Sequence, residues 1–320
     1  MDIKLVAIDL DGTLLDSHKE VSKKNLDIIN ELRKKGVYIV ISTGRPAAGF
    51  SWILDSLDPF SDDEYSVSNT GTLIIKNKDR SDLWKKDLSM KDYLKVKDLI
   101  TDDMQIGIYN KNVLLNNNDV INKHFLFEAD ILKMPIEKFD ESNMDTDVDR
   151  ITMAADSHVM DEFVEKYDHI FKKDYQTVRN VPEVYEILNK EADKSKALSH
   201  LLDKLSIKSE EMLAIGDSHN DKTMLTLAGI GATCSNGRKS VKDMCDIVSD
   251  YSNDEDGVYH ILKEVFYNNW KVSNWEYYIL YIENFKCVRF LKNLTYFYAL
   301  INKEEGDYDK ILFAFFRIFW

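Results

Sequence analysis

The sequence is poor in cysteine: Cys234, Cys245 and Cys287 form no CxxC pair and have no histidine cluster nearby. Neither a disulfide framework nor a Cys/His zinc site is therefore expected, and a reducing, cytoplasmic setting is. Basic residues are also in deficit, with 42 Lys and Arg against 56 Asp and Glu and a net charge of −14. The chain lacks the positive field that broad attraction to nucleic acid or anionic membrane requires, which leaves room only for a local basic pocket. Long hydrophobic runs are missing too. No uncharged apolar stretch reaches the roughly 18 residues of a membrane span, and the first apolar run is too short and acidic for a signal peptide, so a soluble protein is expected.

What is present is enough apolar material for a substantial core, 44% of 320 residues, a length that suits two domains. Lys4 to Ile8 is a continuous apolar run that breaks at Asp-Leu-Asp-Gly-Thr, as a buried parallel strand ending in a loop would. Ser22 to Lys35 carries Leu26, Ile29 and Leu32 at roughly helical spacing, with Gly36 to end the helix, and Val37 to Ile41 reads as a second buried strand. Such a βαβ unit binds its ligands beyond the strand C-termini. The same pattern resumes late in the chain, with a helix over Ser195 to Leu205, strands over Met212 to Ile215 and Ile230 to Cys234, and a helix through Leu227 to Gly229. Between about Trp84 and Tyr185 the pattern changes to amphipathic helices (Tyr93 to Ile100, Val159 to Tyr167) mixed with short strands (Gln105 to Tyr109, Arg150 to Ala154). This predicts an α/β fold, a doubly wound parallel-sheet core carrying an inserted α+β domain.

Four signals fall where this reading puts strand C-terminal ends. Asp9 and Asp11, in "VAIDLDGTLLD", are two apart on an extended backbone and can address one site, with Gly12 allowing a tight turn. Ser42-Thr43-Gly44-Arg45 offers a hydroxyl, an approachable amide and a cation. Lys194, in "ADKSKAL", opens a helix, and Gly216-Asp217-Ser218-His219-Asn220-Asp221 sits at a strand-to-helix turn. Clustered carboxylates repel unless a divalent cation, with Mg²⁺ the one expected here, neutralises them and leaves one oxygen free to attack an electrophile. A phosphoryl group is such an electrophile; it would also explain Thr43 and Lys194, and carboxylate attack on it gives an aspartyl phosphate.

Together these residues resemble the haloacid dehalogenase (HAD) superfamily of aspartate-nucleophile phosphatases, and within it the Cof-type, class IIB hydrolases. The resemblance runs from "KLVAIDLDGTLLD" through "VISTGRP" and "ADKSKAL" to "MLAIGDSHNDKTML" and "DGVYHIL", roughly residues 1 to 266. The long insert lies between Arg45 and Lys194, the position of a C2 cap, because the interval of about 30 residues from Thr13 to Thr43 is too short for a folded domain. The resemblance implies a HAD-like core over residues 1–83 and 186–266 and a C2 cap over 84–185 that sets substrate specificity; it does not reach residues 267–320, read as a C-terminal extension. It also implies that Asp9 is nucleophile and Mg²⁺ ligand, and that Asp11 is general acid and base with its carbonyl on the metal. By the same resemblance Asp217 would complete the metal ligands, Thr43, Gly44, Lys194 and Asn220 would bind the phosphoryl group, and Asp221 and Arg45 would support them. The substrate implied is a small phosphorylated metabolite, a sugar phosphate foremost. The alternatives are a phosphomutase of the same family and a catalytically silent binder of phospho-ligands.

Two departures from the family pattern stand out. Its "KG" reads Lys194-Ser195, with Lys196 close by, and its "NGA" reads Asn69-Thr70-Gly71-Thr72 with one extra residue, which weakens a substrate role for Asn69. His219 is expected to face solvent; Arg150, Arg179 and Asn180 are expected at the surface and Phe125, Leu126 and Phe127 in the cap core. The aromatic segment 267–320 has no proline and one glycine. It has three readings: helices packed on the core or on a second subunit in an oligomer, peripheral membrane contact, or an extension the fold does not need.

Overall fold

The computed structural model describes residues 2–57 and 59–267. The chain opens with strand β1 (Leu5–Ile8), all of it buried, and helix α1 (Lys23–Lys34). Ser22 caps that helix by accepting a hydrogen bond from the Asn25 amide, and Ile28, Ile29 and Leu32 form its buried stripe. Gly36, at φ +85°, takes the left-handed turn after the helix and admits β2 (Tyr38–Ile41). A single 3₁₀ turn and helix α2 (Ser51–Leu57) lead to an antiparallel meander of β3 (Tyr65–Ser68), β4 (Leu73–Lys76) and β5 (Asp82–Lys85).

The central part begins with α3 (Met90–Lys97), β6 (Gln105–Asn110), β7 (Val113–Leu115), α4 (Lys123–Leu132) and β8 (Ile136–Glu137). It continues with β9 (Arg150–Ala154), α5 (Ser157–Asp174), β10 (Tyr175–Val178) and β11 (Val184–Asn189). The six strands lie in the order β10-β11-β9-β6-β7-β8, antiparallel except for the β7–β8 pair. One face of this sheet packs Ile106, Ile108, Ile151, Met153, Tyr185 and Ile187 against α3 and α5. Both helices differ from expectation. α3 starts earlier because Ser89 and Asp92 close a capping box, and α5 runs on past Tyr167 because Phe171 continues its apolar stripe.

The chain then returns through α6 (Lys194–Leu205), β12 (Met212–Ile215), α7 (Lys222–Leu227), β13 (Ile230–Thr233), α8 (Lys239–Lys242), β14 (Ile247–Val248) and α9 (Gly257–Tyr267). Its strands join the opening ones in a fully parallel sheet ordered β14-β13-β12-β1-β2. Leu5, Ala7, Val40, Met212 and Ala214 of this sheet pack with Leu198 and Leu201 of α6 and with Met224 and Leu225 of α7. Burying each such leucine contributes about 1.5–3 kcal/mol, which fixes the strand ends relative to one another. The expected doubly wound parallel core with an inserted α+β element is the observed fold. The C-terminal ends of β1, β2 and β12, side by side, carry the motif residues other than Lys194, which opens α6. The readings of the aromatic segment fall outside the described residues from position 268 on. Among the described residues no helix is long and apolar enough to cross a membrane.

Candidate active site

Asp9 follows directly on β1, its amide bonded to the Ile215 carbonyl at 2.9 Å, so the ends of β1 and β12 are tied together at the site. Its Oδ1 accepts a hydrogen bond from Lys194 Nζ at 2.6 Å, and the same ammonium donates to Asp221 Oδ1 at 2.6 Å. Lys194 is wholly buried at the first position of α6, which Asp193 caps by accepting from the Ser195 amide at 2.7 Å. Ser195, where the family has glycine, adds its own hydroxyl to that cap at 2.5 Å. Lys196 is exposed, so burial singles out Lys194 as the lysine at the carboxylates.

Asp221 is held on all sides: its Oδ2 accepts from the amides of Asp217 (3.1 Å) and Ser218 (2.9 Å). Asp217 accepts from the Thr13 hydroxyl at 3.2 Å, and a Cβ on Gly12, whose φ is +78°, would lie 2.9 Å from Asp217 Oδ2. Only glycine allows the β1 loop to come this close to the carboxylate. Asp9, Asp217 and Asp221 offer ligand oxygens within 4.8 Å of one another. Burial and the neighbouring Asp221 raise the Asp9 carboxyl well above its usual range, although Lys194 opposes them. The same two causes raise Asp217 to about 6. Carboxylates whose charged forms are this unfavourable gain from a hard divalent cation, and an all-oxygen donor set suits one.

The Asp11 carboxylate does not enter this cluster. Arg45 Nε and Nη2 each donate to it at 2.7 Å, and Lys19 Nζ donates at 2.8 Å. Burial pushes the Asp11 carboxyl up, but hydrogen bonds from Arg45 and Lys19 outweigh it and bring it down to about 2. Thr43 is buried beside β3, its amide on the Val67 carbonyl at 2.9 Å and its Oγ1 accepting from the Arg45 amide at 3.1 Å. Gly44 follows; a Cβ there would lie 3.5 Å from Thr70 Oγ1 and 3.8 Å from Asn220 Nδ2, so three loops converge on one small space. Asn220 is oriented by the Ser218 hydroxyl, which donates to its Oδ1 at 2.5 Å.

Sequence reasoning missed the supports. Asn69, Thr70 and Gly71 take three successive positive φ values of +49°, +57° and +95°. The Asn69 amide bonds to the Arg45 carbonyl at 2.9 Å and the Thr70 amide to the Thr43 carbonyl at 3.1 Å. A Cβ on Gly71 would collide with the Asp193 carbonyl, so this loop braces both the Thr43 segment and the start of α6. Thr13 and Lys19 were also missed, having no signal beyond their place in the first loop. The glycine in Asn-Thr-Gly-Thr was the available clue for the 69–71 brace.

Three expectations for the insert are corrected. Arg150 is not at the surface: it is buried on β9, paired with Glu186 at 2.7 Å, and its Nη1 lies 3.5 Å from the Gly44 carbonyl. Phe125 is core as expected, but Leu126 and Phe127 are 53% and 62% exposed, because α4 buries one side only. Arg179 pairs with Asp161 at 2.6 Å near the surface, Asn180 is exposed, and His219 is exposed as expected.

The profile of haloacid dehalogenase-like hydrolases matches residues 6–262. The 5-amino-6-(5-phospho-D-ribitylamino)uracil phosphatase YcsE of Bacillus subtilis is 30% identical over 261 residues, covering 81% of this chain and 94% of that one. Phosphatase YwpJ of the same organism is 25% identical over 296 residues, covering 82% of this chain and all of the relative. A haloacid dehalogenase-like hydrolase from Bacteroides thetaiotaomicron superposes with a TM-score of 0.77 at 25% identity, covering 83% of this chain and 100% of the other. With the profile spanning most of the chain and its relatives named as phosphatases, this protein belongs to the haloacid dehalogenase-like hydrolases, as a phosphatase of the Cof type.

Proposed function

We propose that the protein hydrolyses a small phosphorylated metabolite, a sugar or polyol phosphate foremost, through an aspartyl phosphate on Asp9. The observation that carries this reading is the Lys194 ammonium lying 2.6 Å from both Asp9 and Asp221, beside Asp217, at the ends of β1 and β12. An Asp9 oxygen attacks phosphorus and the bond to the leaving alcohol breaks, with Asp11 delivering the proton to the departing oxygen. Water then attacks the acyl phosphate, Asp11 takes its proton, and inorganic phosphate leaves with Asp9 restored. Asp11 ion-paired with Arg45 is in its basic form, ready for the second half; the acid half requires a proton on it.

Thr43, the Gly44 amide, Lys194 and Asn220 hold the phosphoryl oxygens in this reading, and Asp221 anchors Lys194. Mg²⁺ held by Asp9, Asp217 and the Asp11 carbonyl would neutralise the carboxylates and the phosphoryl charge. The six-stranded sheet with its helices acts as the cap. In this reading the insertion, expected over 84–185, begins at the link Lys86–Leu88 and ends at the link Lys190–Ala192, and the Asn189 side-chain amide at the end of β11 donates to the Asp87 carbonyl of the first link at 2.9 Å. That YcsE is named for a ribityl phosphate supports a polyhydroxylated leaving group.

The test is phosphate release from a panel of sugar phosphates, polyol phosphates, nucleotides and p-nitrophenyl phosphate, with Mg²⁺ or EDTA, by wild type and Asp9→Asn. Release that needs Mg²⁺ and is lost in the variant is expected. No release from any compound by folded wild type would defeat the proposal.

A further inference from the structure

We infer that Arg150, Thr152 and Glu186 recognise the hydroxyl groups of the leaving alcohol, which makes them specificity-determining residues; this rests on the phosphatase reading above. Arg150 and Thr152 are two apart on β9 and so share one face of the sheet. Glu186 on β11 pairs in register with Thr152, and Tyr109 on β6 pairs with Arg150. The guanidinium lies over the Tyr109 ring, 4.2 Å from its centroid, and forms its 2.7 Å ion pair with Glu186 Oε1. From this position Arg150 Nη1 reaches to 3.5 Å from the carbonyl of Gly44, the residue on which the Thr70 and Asn220 loops also converge. The polar trio therefore meets the core at the loop proposed to hold phosphate.

Two atoms of the trio lack what buried polar atoms almost always have. Among the described residues, Arg150 Nε and Thr152 Oγ1 find no hydrogen-bond partner, in residues that are 5% and 0% exposed. Leaving a buried polar atom unsatisfied is unfavourable, because folding has taken its water away and put nothing in its place. Farther along the same face the sheet is apolar, with Ala154 and Val184 packed against Phe125 and Leu132 of α4. Unsatisfied polar atoms thus appear where the face approaches the Gly44 loop.

A purely structural role for the pair explains this poorly. A buried Arg–Glu pair is often no more stabilising than apolar residues of the same volume, and 3.5 Å to one carbonyl is too long to clasp two parts of a protein together. A ligand explains the orphans directly. The Arg150 N–H donates, the Thr152 hydroxyl donates and accepts, and the Glu186 carboxylate accepts, which is the set that neighbouring alcohol groups satisfy. Because Glu186 already balances the Arg150 charge, the trio favours neutral hydroxyls over a second anionic group.

The experiment compares wild type with Thr152→Val and Glu186→Gln on ribitol 5-phosphate, glucose 6-phosphate and p-nitrophenyl phosphate, after thermal melts confirm folding. The expected result is a fall in kcat/KM for the polyol or sugar phosphate that exceeds the fall for p-nitrophenyl phosphate by about tenfold or more, carried largely by KM. Equal losses on all three compounds, no loss, or a wild-type preference for the leaving group without hydroxyls overturns the inference while leaving the phosphatase reading intact. Calorimetric binding of ribitol 5-phosphate to the Asp9→Asn protein with Mg²⁺ gives a readout that does not depend on turnover. Affinity weakened about tenfold by adding Thr152→Val supports the inference even if wild type releases no phosphate; unchanged affinity, or no binding, overturns it.

Discussion

Arg45 grips Asp11 with two parallel hydrogen bonds of 2.7 Å, one to each carboxylate oxygen, while its Nη1 is fixed on the Gly49 carbonyl at 2.9 Å. This fork geometry holds the carboxylate in one orientation and in its charged form. The residue proposed as acid and base is thereby governed from the neighbouring loop as well as from its own, where Lys19 also donates to it at 2.8 Å.

Arg45→Met should raise the Asp11 pKa from about 2 toward the ordinary range, since the largest of the causes that oppose burial would be gone. A group with a depressed folded pKa is ionised above that pKa, and kcat/KM reports the step in which Asp11 must carry a proton, so the alkaline limb that Asp11 sets in the kcat/KM profile should move upward by about one unit or more. Arg45→Lys should recover only part of the shift, because an ammonium cannot make both bonds. A pH–rate profile that does not move in either variant would show that Arg45 does not govern Asp11.

Lys194→Met removes the cation between Asp9 and Asp221 and leaves two buried carboxylates facing each other. Breaking such a pair on one side costs about 3–5 kcal/mol, and turnover should be abolished. A divalent cation should restore part of the lost stability, so the rise in Tm on adding Mg²⁺ is expected to be larger in the variant than in wild type. An equal rise in both would refute this account.

Asp217, raised to about 6, makes the metal-free protein less stable as pH rises from about 4 through 6. In that window the folded state binds more protons than the unfolded one, so deprotonation favours unfolding. Asp217→Asn should remove this part of the pH dependence, measured as the difference in melts with EDTA. Because a cation competes with that proton, Mg²⁺ affinity should weaken about tenfold between pH 7 and pH 5.

Gly71→Ala puts a methyl group against the Asp193 carbonyl at a φ of +95°. Strain of this kind costs about 1–3 kcal/mol, and relief requires the start of α6 to shift, carrying Lys194 with it. A fall of about tenfold or more in kcat is expected, since small displacements of positioning groups are costly. Full activity with an unchanged Tm would show that the loop is not a brace.

Much of this was legible in the sequence because it depends on local pattern. The strands β1, β2 and β12 are short apolar runs that end at charged or glycine-rich turns, and Ser22 and Gly36 mark where α1 begins and ends. Asp9, Thr43 and Asp217 could be picked out because each stands at such an end, which a parallel sheet brings together, and Lys194 because it opens a helix. The brace at 69–71 was obscure because left-handed backbone at Asn69 and Thr70 has no strong residue signature. Arg150 was misplaced because a lone arginine in a strand gives no sign of which face is covered.

By itself the sequence determined the class of fold, the parallel order of motifs and the family, since periodicity, turn chemistry and motif spacing are local properties of the chain. Only the tertiary structure decided which groups share charge. Lys194 bridges residues 185 and 27 positions away, Arg45 reaches 34 positions back to Asp11, and Arg150 pairs with Glu186 from a neighbouring strand rather than facing solvent. Such pairings are set by packing over distances of a few ångströms, and sequence separation carries almost no information about them.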